Sequence, residues 1–396
     1  MRVRLGAALL LIVAAAATFN YLRPIPGATP VALLPTSDRV EGTAPSLPWP
    51  AHGSGAIAVA HLGMIGSSGN EQAIPAASVT KVMTALVVLT DKPLKKGEDG
   101  PTITLTDADV QYYQADLADK QSVVKVQAGE QLTELQALEG MLIPSANNLA
   151  ETLARWDGGG TDFLKRMNSR AASLHLAHTV FADTSGASSG SISTPSDLVA
   201  LGMASMQDEV FAQVVAMGQA QLPVAGTVYN VNYALGLDGI VGIKTGSGLA
   251  TGANFLFAAN VTVDGVTVVA YGCVMGQPTL DIAFSAAEAL INTVSAALHV
   301  RRVIARGQAV AAVEMPWGEQ TDIISTVDVD LAEWPGMVLR QRLDARPIVV
   351  DHPLPPATRV GSEHVVLGDY VLDIPLITAD QLYPPGRFWR ITRLSF

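Results

Sequence analysis

Three β-rich segments, GIVGIKTGSG, ANFLFAANVTVDG and VTVVAYGCVMG, follow one another from Gly239 to Gly276 with only short glycine turns between them. A meander of this kind has to bury at least one face. Upstream, GAIAVAHLG (Gly55 to Gly63) is patterned as one further strand. Helical patterning fills the region between, in PAASVTKVMTALVVLT, LTELQALEGMLI, NNLAETLARW, TDFLKRMNSRAASLHL and the stretch from Ser196 to Gly218. LDIAFSAAEALINTVSAALHV then closes the region with a long amphipathic helix. One strand, many helices, a meander and a final helix imply an α+β fold. Its helices pack on an antiparallel sheet built from both ends of the segment.

Single cores stop growing near about 250 to 300 residues, so a chain of 396 residues is expected to carry two domains. Beyond Arg301 the texture changes to short alternating runs cut by glycine and proline, such as TDIISTVDVDL and HVVLGDYVLDIPL. That reads as a small all-β domain over 301–396, behind a larger domain over 51–300. Residues 23–50 hold seven prolines and no periodic apolar pattern, and are expected to form an extended linker. Residues 1–22 begin with two arginines and continue into an apolar run from Leu5 to Phe19. This is an export signal, read here as an uncleaved N-terminal membrane anchor, and it places the body outside the cytoplasm. No cysteine follows the run, which excludes a bacterial lipid anchor.

The formal charge is −11 and no block of lysine and arginine forms a basic stripe, so nucleic acid is excluded as a partner. The single cysteine, Cys273, lies inside a strand-patterned run and reads as a small buried residue. His175 and His178 stand at i, i+3 without a third ligand at a suitable spacing, so no metal site is expected. WDGGGTD lacks the Lys-Ser/Thr ending of a phosphate loop.

Three short motifs carry chemistry. Ser78 and Lys81 are three residues apart at the mouth of an apolar helical run, which puts amine and hydroxyl on one helix face. A serine becomes a nucleophile once a base takes its proton, and a lysine serves if burial or a second cation lowers its pKa. Ser145 and Asn147 in IPSANNLAE sit at a loop-to-helix junction, where taken alone they read as an ordinary N-cap. Lys244, Thr245 and Gly246 lie in a β-patterned run whose glycines mark a close approach of another backbone, so a substrate can lie along that edge.

In this order, Ser-x-x-Lys, Ser-x-Asn and Lys-Thr-Gly form the combination found in penicillin-binding proteins and class A β-lactamases. The chain most resembles the D-alanyl-D-alanine carboxypeptidases, the low-molecular-mass penicillin-binding proteins. PAASVTKVMTAL, SANNLAETLA, FLKRMNSRAASLHLAHTVFADTSG, STPSDLVALG and NVNYALGLDGIVGIKTGSG carry the resemblance, which covers roughly Gly53 to Val300. It implies a β-lactamase-like fold with a small β domain behind it, in an enzyme of the bacterial cell envelope that needs no cofactor. It further implies that Ser78 attacks the bond between two terminal D-alanines of a peptidoglycan stem peptide, with Lys81 as base. Lys244 and Thr245 would hold the substrate carboxylate, while Ser145 and Asn147 would relay the proton and orient Lys81. The N–H groups of Ser78 and Ser247 would form the oxyanion hole, and β-lactams would be covalent inhibitors. FADTSG departs from the family's usual Asn-Pro-x-Gly wording, and the chain's end, RFWRITRLSF, is shorter than the amphipathic helix that ends many members. A class A β-lactamase would need a glutamate between the second and third motifs, and none lies between Glu151 and Glu209. A binding module that senses peptidoglycan or β-lactams without turnover is the alternative of another class.

Overall fold

The computed structural model describes residues 2–68, 72–248 and 251–393. The chain divides into two compact units, Pro45–Leu298 and a second formed by the segments on either side of it.

The first unit is built on a five-stranded antiparallel sheet. In chain order its strands are β1 (Ser54–Val59), β2 (Gly63–Ser67), β3 (Ile240–Gly248), β4 (Gly252–Val263) and β5 (Val266–Gln277), and they lie side by side as β3-β4-β5-β1-β2. The meander and the lone upstream strand therefore join as the pattern requires, with β1 pairing to β5 from Val59↔Ala270 to Ser54↔Met275. Strand alternation sends Leu256, Ala258 and Cys273 into the helical core. Phe255, from the opposite face of β4, meets Phe284 edge-on at 4.9 Å. Phe284 belongs to α4 (Leu280–Ala297), which packs on β4 and β5, while α3 (Pro195–Ser205) packs on β5 and β1.

At the centre of the helical layer stands α1 (Lys81–Asp91), in which every residue from Lys81 to Leu89 is buried. A helix that is apolar almost all round has to be an inner helix. Its first residue, a lysine, is the exception to the apolar rule, and the fold must give that amine partners. A second inner helix, α2 (Asn147–Trp156), packs against it. The helix Asp107–Ala118 and the hairpin of Gln219–Leu222 with Gly226–Tyr229 are additions that the hydrophobic pattern did not signal.

One buried acid in this unit lies away from any motif. Glu134 is fully buried, and neither of its carboxylate oxygens has a hydrogen-bond partner among the described residues. Burial raises its pKa to about 7, with Asp157 adding to the rise and Lys92 opposing it. A carboxyl whose folded pKa exceeds the unfolded one favours folding while protonated. That contribution is lost as pH climbs from the ordinary carboxylate range through about 7. Glu134→Gln is therefore expected to melt higher than the parent at pH 8 and close to it at pH 5. Equal melting shifts at both pH values would contradict this.

The second unit carries a seven-stranded antiparallel sheet in the order Val31–Ala32, Ala309–Glu314, Gln320–Ser325, Tyr370–Thr378, Arg359–Leu367, Val338–Ala345 and Ser37–Arg39. A two-stranded ribbon of His299–Ile304 with Val329–Glu333 accompanies it. The alternating runs beyond Arg301 thus form strands as expected, but the proline-rich stretch is not a free linker. Val31 pairs with Ala312 at one edge of the sheet, and Asp38 pairs with Leu339 at the other. Prolines keep this segment extended, and extended backbone satisfies the unpaired N–H and C=O groups of an edge strand. The end of the chain, RFWRITRLSF, forms a short helix at Arg387–Thr392, and its last three residues lie outside the described residues.

Candidate active site

Ser78 lies within a 3-10 turn, Ala77–Thr80, and α1 begins only at Lys81. The turn is held in place from three sides. Asn254 on β4 donates to the carbonyls of Pro75 and Ala76 at 3.0 and 3.1 Å, and its own carbonyl accepts from Gly276 N–H. The Ala76 N–H donates to Ser191 O at 2.9 Å. Gly246 on β3 comes so near that a Cβ there would lie 3.0 Å from both Ser78 N and Ala76 O. Ala77 has a φ of +49°, a left-handed conformation that a non-glycine residue adopts only under local constraint.

Lys81 is the hub of the site. Its Nζ lies 2.8 Å from Ser78 Oγ, and it donates to Asn147 Oδ1 at 2.6 Å and to Ser185 O at 2.9 Å. Asn147 is fixed in turn: its Nδ2 donates to Gln121 Oε1 at 3.3 Å and its N–H to Ser122 O at 2.8 Å. Its amide oxygen therefore faces the lysine. Lys81 is completely buried, and that burial, reinforced by the charge of Lys244, holds its pKa well below the ordinary lysine range against the opposing pull of Asp183 and Asp116. Lys244 is also buried, which lowers its pKa to about 7, and its Nζ donates to Thr245 O at 3.0 Å.

Ser145 is buried at the entry to α2 with a φ of +68°. It is not among the three partners of Lys81, and it does not cap the helix, whose preceding residue is Ala146 with no side-chain cap. The ordinary N-cap reading is thereby replaced by a buried residue in the left-handed conformation, as Ala77 is. Thr245 is buried on β3, and Ser247 is exposed near its end.

The loop at 183–191 carries no side-chain motif of its own in the sequence. Asp183 accepts from Ser185 Oγ at 3.0 Å, Ala187 N–H at 2.7 Å and Ser188 N–H at 3.2 Å, and from the Ser191 hydroxyl. One carboxylate thus folds the loop whose carbonyls take Lys81 (from Ser185) and Ala76 N–H (from Ser191). A third carbonyl, of Thr184, accepts from Thr84 Oγ1 at 2.6 Å. A carbonyl acceptor leaves no signal in a sequence, since every residue type has one.

Residues 60–279 match the family described as D-alanyl-D-alanine carboxypeptidase. The chain is 35% identical over 196 residues to the D-alanyl-D-alanine carboxypeptidase DacB2 of Mycobacterium tuberculosis, a match that takes in 47% of this chain and 62% of that protein's length. The crystal structure of the Streptomyces K15 DD-transpeptidase superposes with a TM-score of 0.55 at 26% identity, over 64% of this chain and 98% of that one. Penicillin binding protein 5 from Haemophilus influenzae gives a TM-score of 0.62 at 18% identity, over 86% and 99%, a likeness of fold.

Proposed function

Since the chain belongs to the D-alanyl-D-alanine carboxypeptidase family, we propose that it removes the terminal D-alanine from peptidoglycan stem peptides through an acyl-enzyme on Ser78, and that β-lactams trap it there. The observation that carries this reading is the enclosure of Lys81 Nζ between Ser78 Oγ, Asn147 Oδ1 and Ser185 O. A neutral amine has two N–H bonds and one lone pair. Asn147 and Ser185 offer only acceptors to it, so they take the two N–H bonds. The lone pair is left for the hydroxyl proton of Ser78. Burial and the neighbouring Lys244 favour that neutral form, which is what a general base needs.

Ser78 Oγ then adds to the scissile carbonyl as its proton passes to Lys81. The developing oxyanion is taken by the N–H groups of Ser78 and Ser247, a contribution of about 3 to 4 kcal/mol per donor in other enzymes. Lys244, protonated more readily once an anion is beside it, and Thr245 hold the terminal carboxylate along β3, with Gly246 keeping that strand close to the nucleophile. Collapse expels D-alanine, whose amine gains a proton through Ser145, and water releases the shortened peptide. An amine in place of water would make the same intermediate a transfer intermediate, the activity for which the Streptomyces K15 structure is named. The enzyme acts at the outer side of the cytoplasmic membrane, with its N-terminal helix as anchor.

The test uses the full chain in detergent with a D-Ala-D-Ala pentapeptide, with and without an amine acceptor, and with a labelled penicillin. Catalytic release of D-alanine is expected, together with label on the peptide that carries Ser78. Label without release would assign a sensing module instead, and label on any other residue would sink the mechanism.

Asp183 is a positioning residue in this scheme, acting through Ser185 O. Asp183→Asn keeps the side chain's size but removes the charge that opposes the lowering of the Lys81 pKa. Acylation is expected to slow by up to about 10²-fold through loosened geometry. Its acid limb is expected to move to lower pH, because the amine becomes easier to deprotonate. Chromogenic β-lactam acylation followed across pH separates the two effects. A slower rate with an unmoved limb would leave Asp183 a purely structural role.

A further inference from the structure

The two ends of the described chain grip each other. The N-terminal helix, Arg2–Leu22, ends in a cluster of carbonyls that its own backbone cannot satisfy. The Arg393 guanidinium supplies the donors, giving bonds to Asn20 O at 2.8 and 3.2 Å, to Arg23 O at 2.7 Å and to Pro24 O at 2.9 Å. In return Asn20 Nδ2 donates to the carbonyls of Ile391 and Arg393, both at 3.1 Å. Arg390 donates to Tyr21 O at 2.9 Å and stacks over the Tyr21 ring at 4.4 Å. A buried arginine at a helix C-terminus also opposes the negative end of the helix dipole. The short helix Arg387–Thr392 is seated on its own unit by Trp389, which donates to Pro316 O at 3.2 Å and meets Trp317 edge-on at 5.4 Å.

Beyond this grip, no other described residue covers the N-terminal helix from Gly6 to Ala16. From Gly6 to Ala16 every residue is exposed, with Leu10 and Leu11 at 72% and 71%, and no polar face interrupts the run. A helix apolar all round requires an apolar medium. Its apolar run, Leu5 to Phe19, covers about 22 Å at 1.5 Å per residue, within the ~30 Å of a bilayer's hydrocarbon, and the helix continues through Asn20 and Tyr21 to Leu22 at the gripped end. At the gripped end the composition turns to that of a membrane–water interface: Phe388 is 81% exposed, Tyr383 51%, and Arg387 is exposed beside them.

We infer that the C-terminal helix is an interfacial collar, which clamps the retained N-terminal helix where it leaves the bilayer and itself lies in an anionic headgroup layer with Phe388 at the acyl boundary. This rests on the N-terminal anchor reading above. The collar gives the seven-stranded unit two points of attachment to the membrane surface, one spanning and one lying flat. A membrane contact of this type depends on an intramolecular partner, which explains how a six-residue helix suffices where an independent amphipathic anchor needs greater length.

The full chain is reconstituted into vesicles of phosphatidylethanolamine with phosphatidylglycerol, with phosphatidylcholine vesicles as the neutral comparison. A nitroxide is attached at Phe388→Cys; the native Cys273 is buried in β5. Intact mass establishes whether residues 1–22 are retained. Retention is expected, with the label accessible to oxygen but shielded from an aqueous nickel chelate, more strongly in the anionic vesicles. Arg393→Ala in the same background is expected to raise chelate accessibility severalfold while penicillin labelling stays at parental stoichiometry. Loss of residues 1–22 would overturn the anchor and the collar together. Retention with a fully aqueous label in the parent, or a label depth indifferent to Arg393, would overturn the collar alone.

Discussion

Lys81→Met is expected to cut the rate of Ser78 acylation by about 10² to 10⁴-fold, the range that a positioned general base contributes. Methionine fills the space of the lysine stem but brings no lone pair of comparable basicity to the Ser78 hydroxyl, 2.8 Å away in the parent. Its effect on stability is expected to be small, because two contributions oppose each other. Removing a fully buried amine relieves a desolvation cost, whereas Asn147 Oδ1 and Ser185 O lose their donor. Each orphaned acceptor costs about 1 to 3 kcal/mol and the relief is of similar size. A melting temperature near that of the parent, with acylation nearly abolished, separates chemistry from folding. The parent's acylation should rise with pH as the amine loses its proton and then level off, and the variant's residual rate should not follow that curve. Acylation of Lys81→Met at the parental rate would place the base elsewhere.

Gly186→Ala should be the most damaging small substitution in the loop that faces Lys81. The glycine has a φ of +82°, and a Cβ on it would fall 1.8 Å from Ala77 O and 2.9 Å from Thr80 Oγ1. No atom can be accommodated there, so the loop must retreat from the turn that carries Ser78, and the carbonyl of Ser185 retreats with it. Gly265 provides the control: its φ is +83°, but nothing lies within 4 Å of its Cβ position. The left-handed backbone alone costs about 1 to 2 kcal/mol. Gly265→Ala is expected to lose that much and keep its penicillin labelling. Gly186→Ala is expected to lose more than about 3 kcal/mol, in the tail of single-substitution effects, and to acylate poorly. Denaturant unfolding of the two variants, side by side, checks the contrast; equal losses would mean the loop is free to shift.

The residues that were legible in the sequence are those whose side chains carry the chemistry. Ser78, Lys81, Asn147 and Lys244 announce themselves because few residue types can attack, accept a proton or hold an anion. The sheet was legible for a different reason, since three strands with glycine turns and one lone partner leave few antiparallel arrangements. What escaped notice depends on backbone. Ser185 serves through its carbonyl, and Asp183 through N–H groups gathered along its loop, so neither has a side-chain pattern of its own. The proline-rich stretch was misread because proline composition describes an extended chain without saying whether another strand lies beside it. Ser145 was read locally as a cap, although its φ of +68° shows a conformation imposed by the surrounding packing.

The strands at Val31–Ala32 and Ser37–Arg39 finish the two margins of a sheet whose other members lie some 270 residues or more further along the chain. During synthesis these first strands emerge early and must wait while the whole of Pro45–Leu298 is made. The intervening unit has all its own strands and can fold in that interval. A version of the chain trimmed to begin after Ala44 would therefore retain the three chemical motifs yet leave the later unit short of two strands, and insolubility in such a preparation would trace to that omission rather than to the peptidase.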